Sequence, residues 1–147
     1  MLKQICDALT ALRQYLLQTH WACRKSYAIH LLTDRIYQGI SDDIDRLKEL
    51  YIGATSDLSI SCAETTFKDA LSYIRALSAS TDLDTHAMLD NCLKLEITVS
   101  NLLNQATDFY NNQPEGTPFK AGILNALGDI DEKRLRDIFL IQTELKK

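Results

Sequence analysis

Helix breakers are scarce: the 147 residues include two prolines and five glycines. Both prolines, Pro114 and Pro118, stand late in the chain, so long helical segments can run unbroken before them. No apolar run reaches membrane-spanning length, and the N-terminus lacks the apolar stretch of a signal peptide. These absences predict a cytoplasmic protein with no membrane partner. No Lys/Arg-rich run precedes the first expected helix, and the C-terminus offers only Lys146 and Lys147. With a net charge of −4, this weighs against binding nucleic acid through the bulk surface. Cys6, Cys23, Cys62 and Cys92 form no CxxC pair and no zinc-type spacing, so reduced thiols are expected. There is no phosphate-binding glycine loop, and too few paired acidic residues for a Mg²⁺-dependent nucleotide hydrolase of all-α type.

What the chain does contain is helical periodicity. Its apolar content of 46% and charged content of 24% are ordinary for a globular protein, and its length suits one domain, 1–147. Leu2, Ile5, Leu9, Leu12 and Leu16 recur at spacings of three and four, which predicts a helix over 2–20. Continuing that line by four reaches His20, followed by Trp21. After a short connection, Ser26 is a candidate N-cap for a second helix over 26–52, ending at Gly53. Its apolar stripe is Ile29, Leu32, Ile36, Ile40, Ile44, Leu47 and Tyr51. A polar connection over 53–62 leads to a short helix at 63–78 with Phe67, Leu71 and Ile74 as its apolar face. Ser80 and Thr81 are cap candidates for a third long helix, 82–112, carrying Met88, Cys92, Leu95, Val99, Leu102, Ala106 and Phe109. The stretch from Asn111 to Gly116 ends it. A helical turn around 118–127 then leads to Gly128, where Asp129 and Glu132 resemble a capping box for the last helix. Leu135, Ile138, Phe139, Ile141 and Leu145 supply that helix's expected core face. The fold class is all-α.

The second helix carries the chemistry. His30 and Asp34, then Asp45 and Glu49, form two pairs of metal-competent side chains, each at i, i+4. On an uninterrupted helix all four fall within an arc of roughly 100°. Asp34 and Asp45, however, stand about 16 Å apart along the axis at 1.5 Å per residue. One metal cannot reach both pairs, since such ligands sit about 2.0–2.2 Å from it. The pairs can meet if a second copy packs antiparallel across a two-fold axis, so the stretch suggests both a metal site and a dimer. Taken singly, Asp45/Glu49 reads as a solvated face and His30/Asp34 as a surface hydrogen bond; His20 reads as a core histidine and Trp21 as a packing residue. Their joint appearance shifts the balance. No Glu-x-x-His occurs (Glu96 lacks a His three residues on), so a di-iron centre complete within one chain is excluded.

Thr19-His20-Trp21, His30-x-x-x-Asp34 and Asp45-x-x-x-Glu49 together resemble the ferroxidase signature of the Dps mini-ferritins, the DNA-binding proteins from starved cells. Residue order and both i, i+4 spacings match. The loop between Trp21 and His30 is shorter than the family's, and Leu50 stands where the family commonly has Arg. The resemblance implies a ferritin-like four-helix bundle with a short helix in the crossover between helices 2 and 3. It also implies metal ligation by His20, His30, Asp34, Asp45 and Glu49, shared between two subunits, with Trp21 close by to absorb oxidising equivalents. The implied activity is ferroxidase: Fe(II) oxidation at a di-iron site by peroxide or dioxygen, with storage of ferric mineral that protects against oxidative damage. The implied assembly is a homo-oligomer of two-fold dimers, a dodecameric shell, with Asp129, Asp131 and Asp137 as candidates for an iron inlet pore. Complementing the dipole of a nearby helix N-terminus is their alternative role. The family name also implies DNA binding, against which the acidic balance and missing basic tail weigh. A reading of a different class is a ferritin-like protein with a vestigial metal site and a structural or interaction role.

Overall fold

The computed structural model describes residues 1–77 and 84–147, which are helices and connecting turns with no strand among them. The helices are α1 (Leu2–Ala22), α2 (Tyr27–Gln38), α3 (Ile40–Thr55), α4 (Ala63–Arg75), α5 (Thr85–Asn111) and α6 (Lys120–Leu145), with a turn of 3-10 helix at Leu58–Ser61. The all-α expectation holds for these residues.

On α1 the predicted line Leu2, Ile5, Leu9, Leu12 and Leu16 is buried, with Ala8 and Ala11 allowing close approach beside it. Ser26 caps α2 as expected, its side chain accepting the Ile29 N–H. The single helix predicted over 26–52 is instead two. Gly39 separates them while keeping right-handed backbone angles, φ −83° and ψ −12°. The next helical bond, from Asp43 N–H to the Gly39 carbonyl, is stretched to 3.4 Å. A residue with no side chain and high backbone entropy is a natural weak point there.

Gly53 is not the helix stop. α3 runs through it to Thr55 and ends on Ser56, which takes φ 58° and donates its N–H to the Ile52 carbonyl. A Cβ at position 53 would lie 3.3 Å from the Phe119 ring, so the glycine serves close packing instead. At α5 the N-cap is Asp84, which accepts from Ala87 N–H at 2.7 Å. The predicted caps Ser80 and Thr81 lie outside the described residues.

The largest departure is α6, one helix through Gly128 where a break at Asp129 was expected. An interior glycine costs about 1 kcal/mol relative to alanine. Burial of Ile123, Ala126, Leu127 and Ile130 on both sides of Gly128 outweighs that cost. The face that α6 turns inward also differs from the expected one. The buried line is Ile123, Leu127, Ile130, Arg134 and Ile141, whereas Leu135 and Phe139, predicted core, are exposed. The short helix differs similarly: α4 buries the small Thr66 and Ala70, while Phe67 is 67% exposed and Leu71 also faces out. On α5, Phe109 is exposed, and Leu89 and Leu103 join the core.

α1 packs against α5, α2, α3 and α4; α6 packs against α5, α3 and α2. Paired residues give the directions. His20 meets His30, and the Lys48 charge acts on Cys6, so α1 is antiparallel to α2 and α3. Arg46 meets Asp129 and Asp43 meets Lys133, so α3 opposes α6. Ser100 meets Asp131 and His86 Nε2–H donates to the Leu145 carbonyl, so α5 opposes α6. Lys3 bridges Asp7 and Asp69, both at 2.6 Å, and ties α4 alongside α1.

Candidate functional site

The end of the α1–α2 hairpin brings the two predicted histidines together. Thr19, buried, anchors the last turn of α1 by donating to the Tyr15 carbonyl at 2.9 Å, and it contacts Cys92 of α5. The turn after Ala22 is pinned by buried Cys23, whose Sγ donates to the Ser26 carbonyl. His30 therefore sits in the first turn of α2, opposite His20. Their rings stack with centroids 3.9 Å apart and planes inclined by 23°. His20 Nδ1 lies 3.0 Å from the His30 carbonyl, and His30 Nδ1 lies 3.1 Å from the His20 carbonyl. A carbonyl can only accept, so both Nδ1 atoms carry protons. In the neutral rings both Nε2 atoms are then lone-pair donors, the form that binds a metal. The short loop leaves His20 stacked beside His30.

Asp34, one turn beyond His30, is half-buried and already engaged. Its carboxylate accepts from Gln38 Nε2 at 3.0 Å and shares a hydrogen bond with Tyr37. Partial burial and that carboxylate hold the Tyr37 phenol above its usual range. Tyr37 also meets the His20 ring edge-on at 5.8 Å between centroids. Trp21 is 63% exposed. His20, Trp21 and His30 line an open cleft of about 630 Å³, together with Cys23, Arg24, Lys25 and Tyr27.

Asp45 and Glu49 are not brought to that cleft within one chain. They stand on α3, beyond Gly39, and both are exposed. Glu49 borders a second cleft of about 340 Å³ beside Phe119 and Asn125. Among the described residues, no three His, Cys, Asp or Glu side chains are grouped to hold a metal ion. The three aspartates of the last helix lie inside α6, not at its N-terminus, so the dipole role proposed for them falls away. Asp129 pairs with Arg46 at 2.8 Å, Asp131 accepts from Ser100 Oγ at 2.8 Å, and Asp137 pairs with Arg134 at 3.0 Å. Arg46, on α3, is thus an interhelical partner of α6.

Sequence reasoning missed a buried polar centre between α3, α5 and α6. Arg134, 2% exposed, meets Glu96 at 3.4 Å, Asp137 at 3.0 Å and Asp43 at 3.9 Å, while Lys133 bonds Asp43 from the side. One oxygen each of Glu96 and Asp43, and Arg134 Nε, have no hydrogen-bond partner. Burial pushes the Glu96 carboxyl up to about 8; Arg134 opposes the rise, and Asp137 and Asp43 add to it. Burial likewise raises Asp137, against the pull of Arg134. A signal was present: Asp43, Glu96 and Arg134 each stand on a line of buried apolar residues, between Ile40 and Leu47, Cys92 and Val99, and Ile130 and Ile141.

All four cysteines are free thiols, with Cys6, Cys23 and Cys92 buried and Cys62 exposed. Burial drives Cys6 and Cys92 up to about 12, while the Thr65 hydroxyl lowers Cys62.

No family model, curated protein or solved structure matches the chain. Its function therefore rests on its own geometry. Among the described residues no helix is long and apolar enough to cross a membrane.

Proposed function

We propose that the chain is a cytoplasmic mini-ferritin of Dps type, a ferritin-like four-helix bundle that oxidises Fe(II) at a site shared by two subunits. The carrying observation is the His20–His30 pair, whose Nδ1–H groups are spent on backbone carbonyls so that both Nε2 atoms are lone-pair donors. The fold part is supported by the packing order and by the directions of α1, α2–α3, α5 and α6, with α4 on the connection between α3 and α5.

In this reading His20, His30 and Asp34 of one subunit face Asp45 and Glu49 of another. Imidazole nitrogen with carboxylate oxygen is a donor set suited to non-haem iron. The carboxylates favour the ferric product over the ferrous substrate by charge. Peroxide or dioxygen takes the electrons, and ferric ion leaves for the mineral. The exposure of Asp45 and Glu49 leaves them free for a partner. The outward Leu58, Phe67 and Leu71 supply apolar surface that an oligomer would cover. Asp129, Asp131 and Asp137 are already engaged within the chain, which leaves the pore reading with little support.

The test is Fe(II) oxidation followed by ferric absorbance. His30→Ala, and Asp45→Ala with Glu49→Ala, are each expected to fall at least ~10-fold, about 1.4 kcal/mol of barrier. Refolding the two variants together regenerates intact sites in mixed pairs, and part of the rate is expected to return. A wild-type protein that oxidises iron no faster than buffer would leave the vestigial, structural reading in its place.

A further inference from the structure

We propose that the cleft at the α1–α2 turn binds a small phosphate-bearing aromatic ligand, a nucleoside monophosphate. The inference uses the rim of the cleft and does not rest on the iron reading, which uses its imidazoles.

Two large aromatic side chains, Trp21 and Tyr27, line the cleft and are 63% and 75% exposed. Between them in sequence stand Arg24 and Lys25, also exposed and also lining it. Neither cation has an ion pair among the described residues, whereas Lys3, Arg46, Lys133 and Arg134 are each matched with a carboxylate. No Asp or Glu lines the cleft. In a chain of net charge −4, this is a local reserve of unspent positive charge beside unspent aromatic surface.

Those two features ask for two things in one ligand. A flat ring can stack on indole or phenol, and a phosphate can take charge-assisted bonds from the guanidinium and the ammonium. The cleft's roughly 630 Å³ lies within the usual size of small-ligand sites. A long polyanion is disfavoured, because beyond the cleft it meets the acidic remainder of the chain. A mononucleotide meets the local cations alone.

Trp21 is the chain's one tryptophan, so its fluorescence reports directly on the cleft. The experiment titrates adenosine monophosphate into the full chain in chelator-containing buffer, exciting where the nucleotide does not absorb. Parallel titrations use adenosine, inorganic phosphate and a single-stranded oligonucleotide. Saturable quenching is expected, with adenosine monophosphate binding at least ~10-fold tighter than adenosine or phosphate, since both halves are needed. R24Q/K25Q, its helix content checked by circular dichroism, should weaken binding by ~10-fold or more and leave residual binding insensitive to salt. Tyr27→Ala should weaken it without changing the salt dependence. Absence of saturable quenching, or unchanged affinity in R24Q/K25Q, overturns the proposal. Far tighter binding of the oligonucleotide than of the mononucleotide also overturns it and assigns the cleft to nucleic acid. Because iron oxidation is measured separately, either proposal can fail alone.

Discussion

The end of the α1–α2 hairpin and the interior between α3, α5 and α6 both gather titratable side chains, and they dispose of them in opposite ways. At the hairpin end, backbone carbonyls tie down the inner nitrogens of His20 and His30, and Arg24 and Lys25 remain unpaired among the described residues. In the interior, Arg134 is surrounded by Asp43, Glu96 and Asp137 within 3.9 Å. That centre resembles a ligand site by composition, but its cation is part of the chain. The lesson is that residue types alone do not separate a binding site from an internal brace. What separates them is whether donor and acceptor atoms are spent on the protein or left open to solvent.

Removing Arg134 is the most severe way to break this contrast. Arg134→Met leaves the buried carboxyls of Asp43 and Glu96, with half-buried Asp137 beside them, without their guanidinium, a loss of about 3–5 kcal/mol by analogy with other broken buried pairs. Urea unfolding checks this; a change below about 1 kcal/mol would mean the centre is not what braces α3, α5 and α6.

A smaller effect follows from Glu96. Its carboxyl titrates near 4.5 when unfolded and at about 8 when folded. The folded chain thus holds the proton more tightly, so the contribution of Glu96 to stability is full below about pH 4.5 and is lost as pH rises through about 8. Asp7 and Asp137, also raised by burial, act with the same sign. Melting followed by circular dichroism should give a lower Tm at pH ~8.5 than at pH ~6, by roughly 2–4 °C for each kcal/mol lost. Glu96→Gln should flatten that slope; an equal slope in the variant would place the dependence elsewhere.

The hairpin end should be the least sensitive in stability. His30→Ala removes a stacked ring and one carbonyl bond at a half-exposed position, at a cost of about 1 kcal/mol. A loss comparable to that of Arg134→Met would make His30 a structural residue and remove the contrast. Urea unfolding under the same conditions compares the two directly.

Much of the helical layout was legible in the residues. The line Leu2 to Leu16 is buried as its spacing requires, and Ser26 caps α2 through its own side chain. Glycine misled in three places, for three physical reasons. At Gly39 a helix read as continuous is interrupted, at Gly53 the missing side chain makes room for Phe119, and at Gly128 the helix simply continues. At Gly53 and Gly128 the glycine was weighed as local punctuation and packing at long range decided; at Gly39 a local weak point was passed over. The inward faces of α4 and α6 were misassigned because large apolar residues were taken to mark the core. Phe67 and Phe139 face out, while Thr66, Ala70 and Arg134 face in.

For the candidate site, the sequence by itself determined the residue types and their helical spacing, because periodicity is a local property of the backbone. It placed His20 at the end of one helix and His30 near the start of the next, with Asp34 one turn on. Only the tertiary structure decided that the two imidazoles stack, that each spends its Nδ1–H on the other's carbonyl, and that Asp34 is engaged by Tyr37 and Gln38. Only the tertiary structure matched Arg134 with acids from three helices, since a buried charge finds its partner by packing across the chain. Hydrogen bonds and ion pairs act over a few ångströms in space, and residues far apart in sequence reach that range only when the helices have docked.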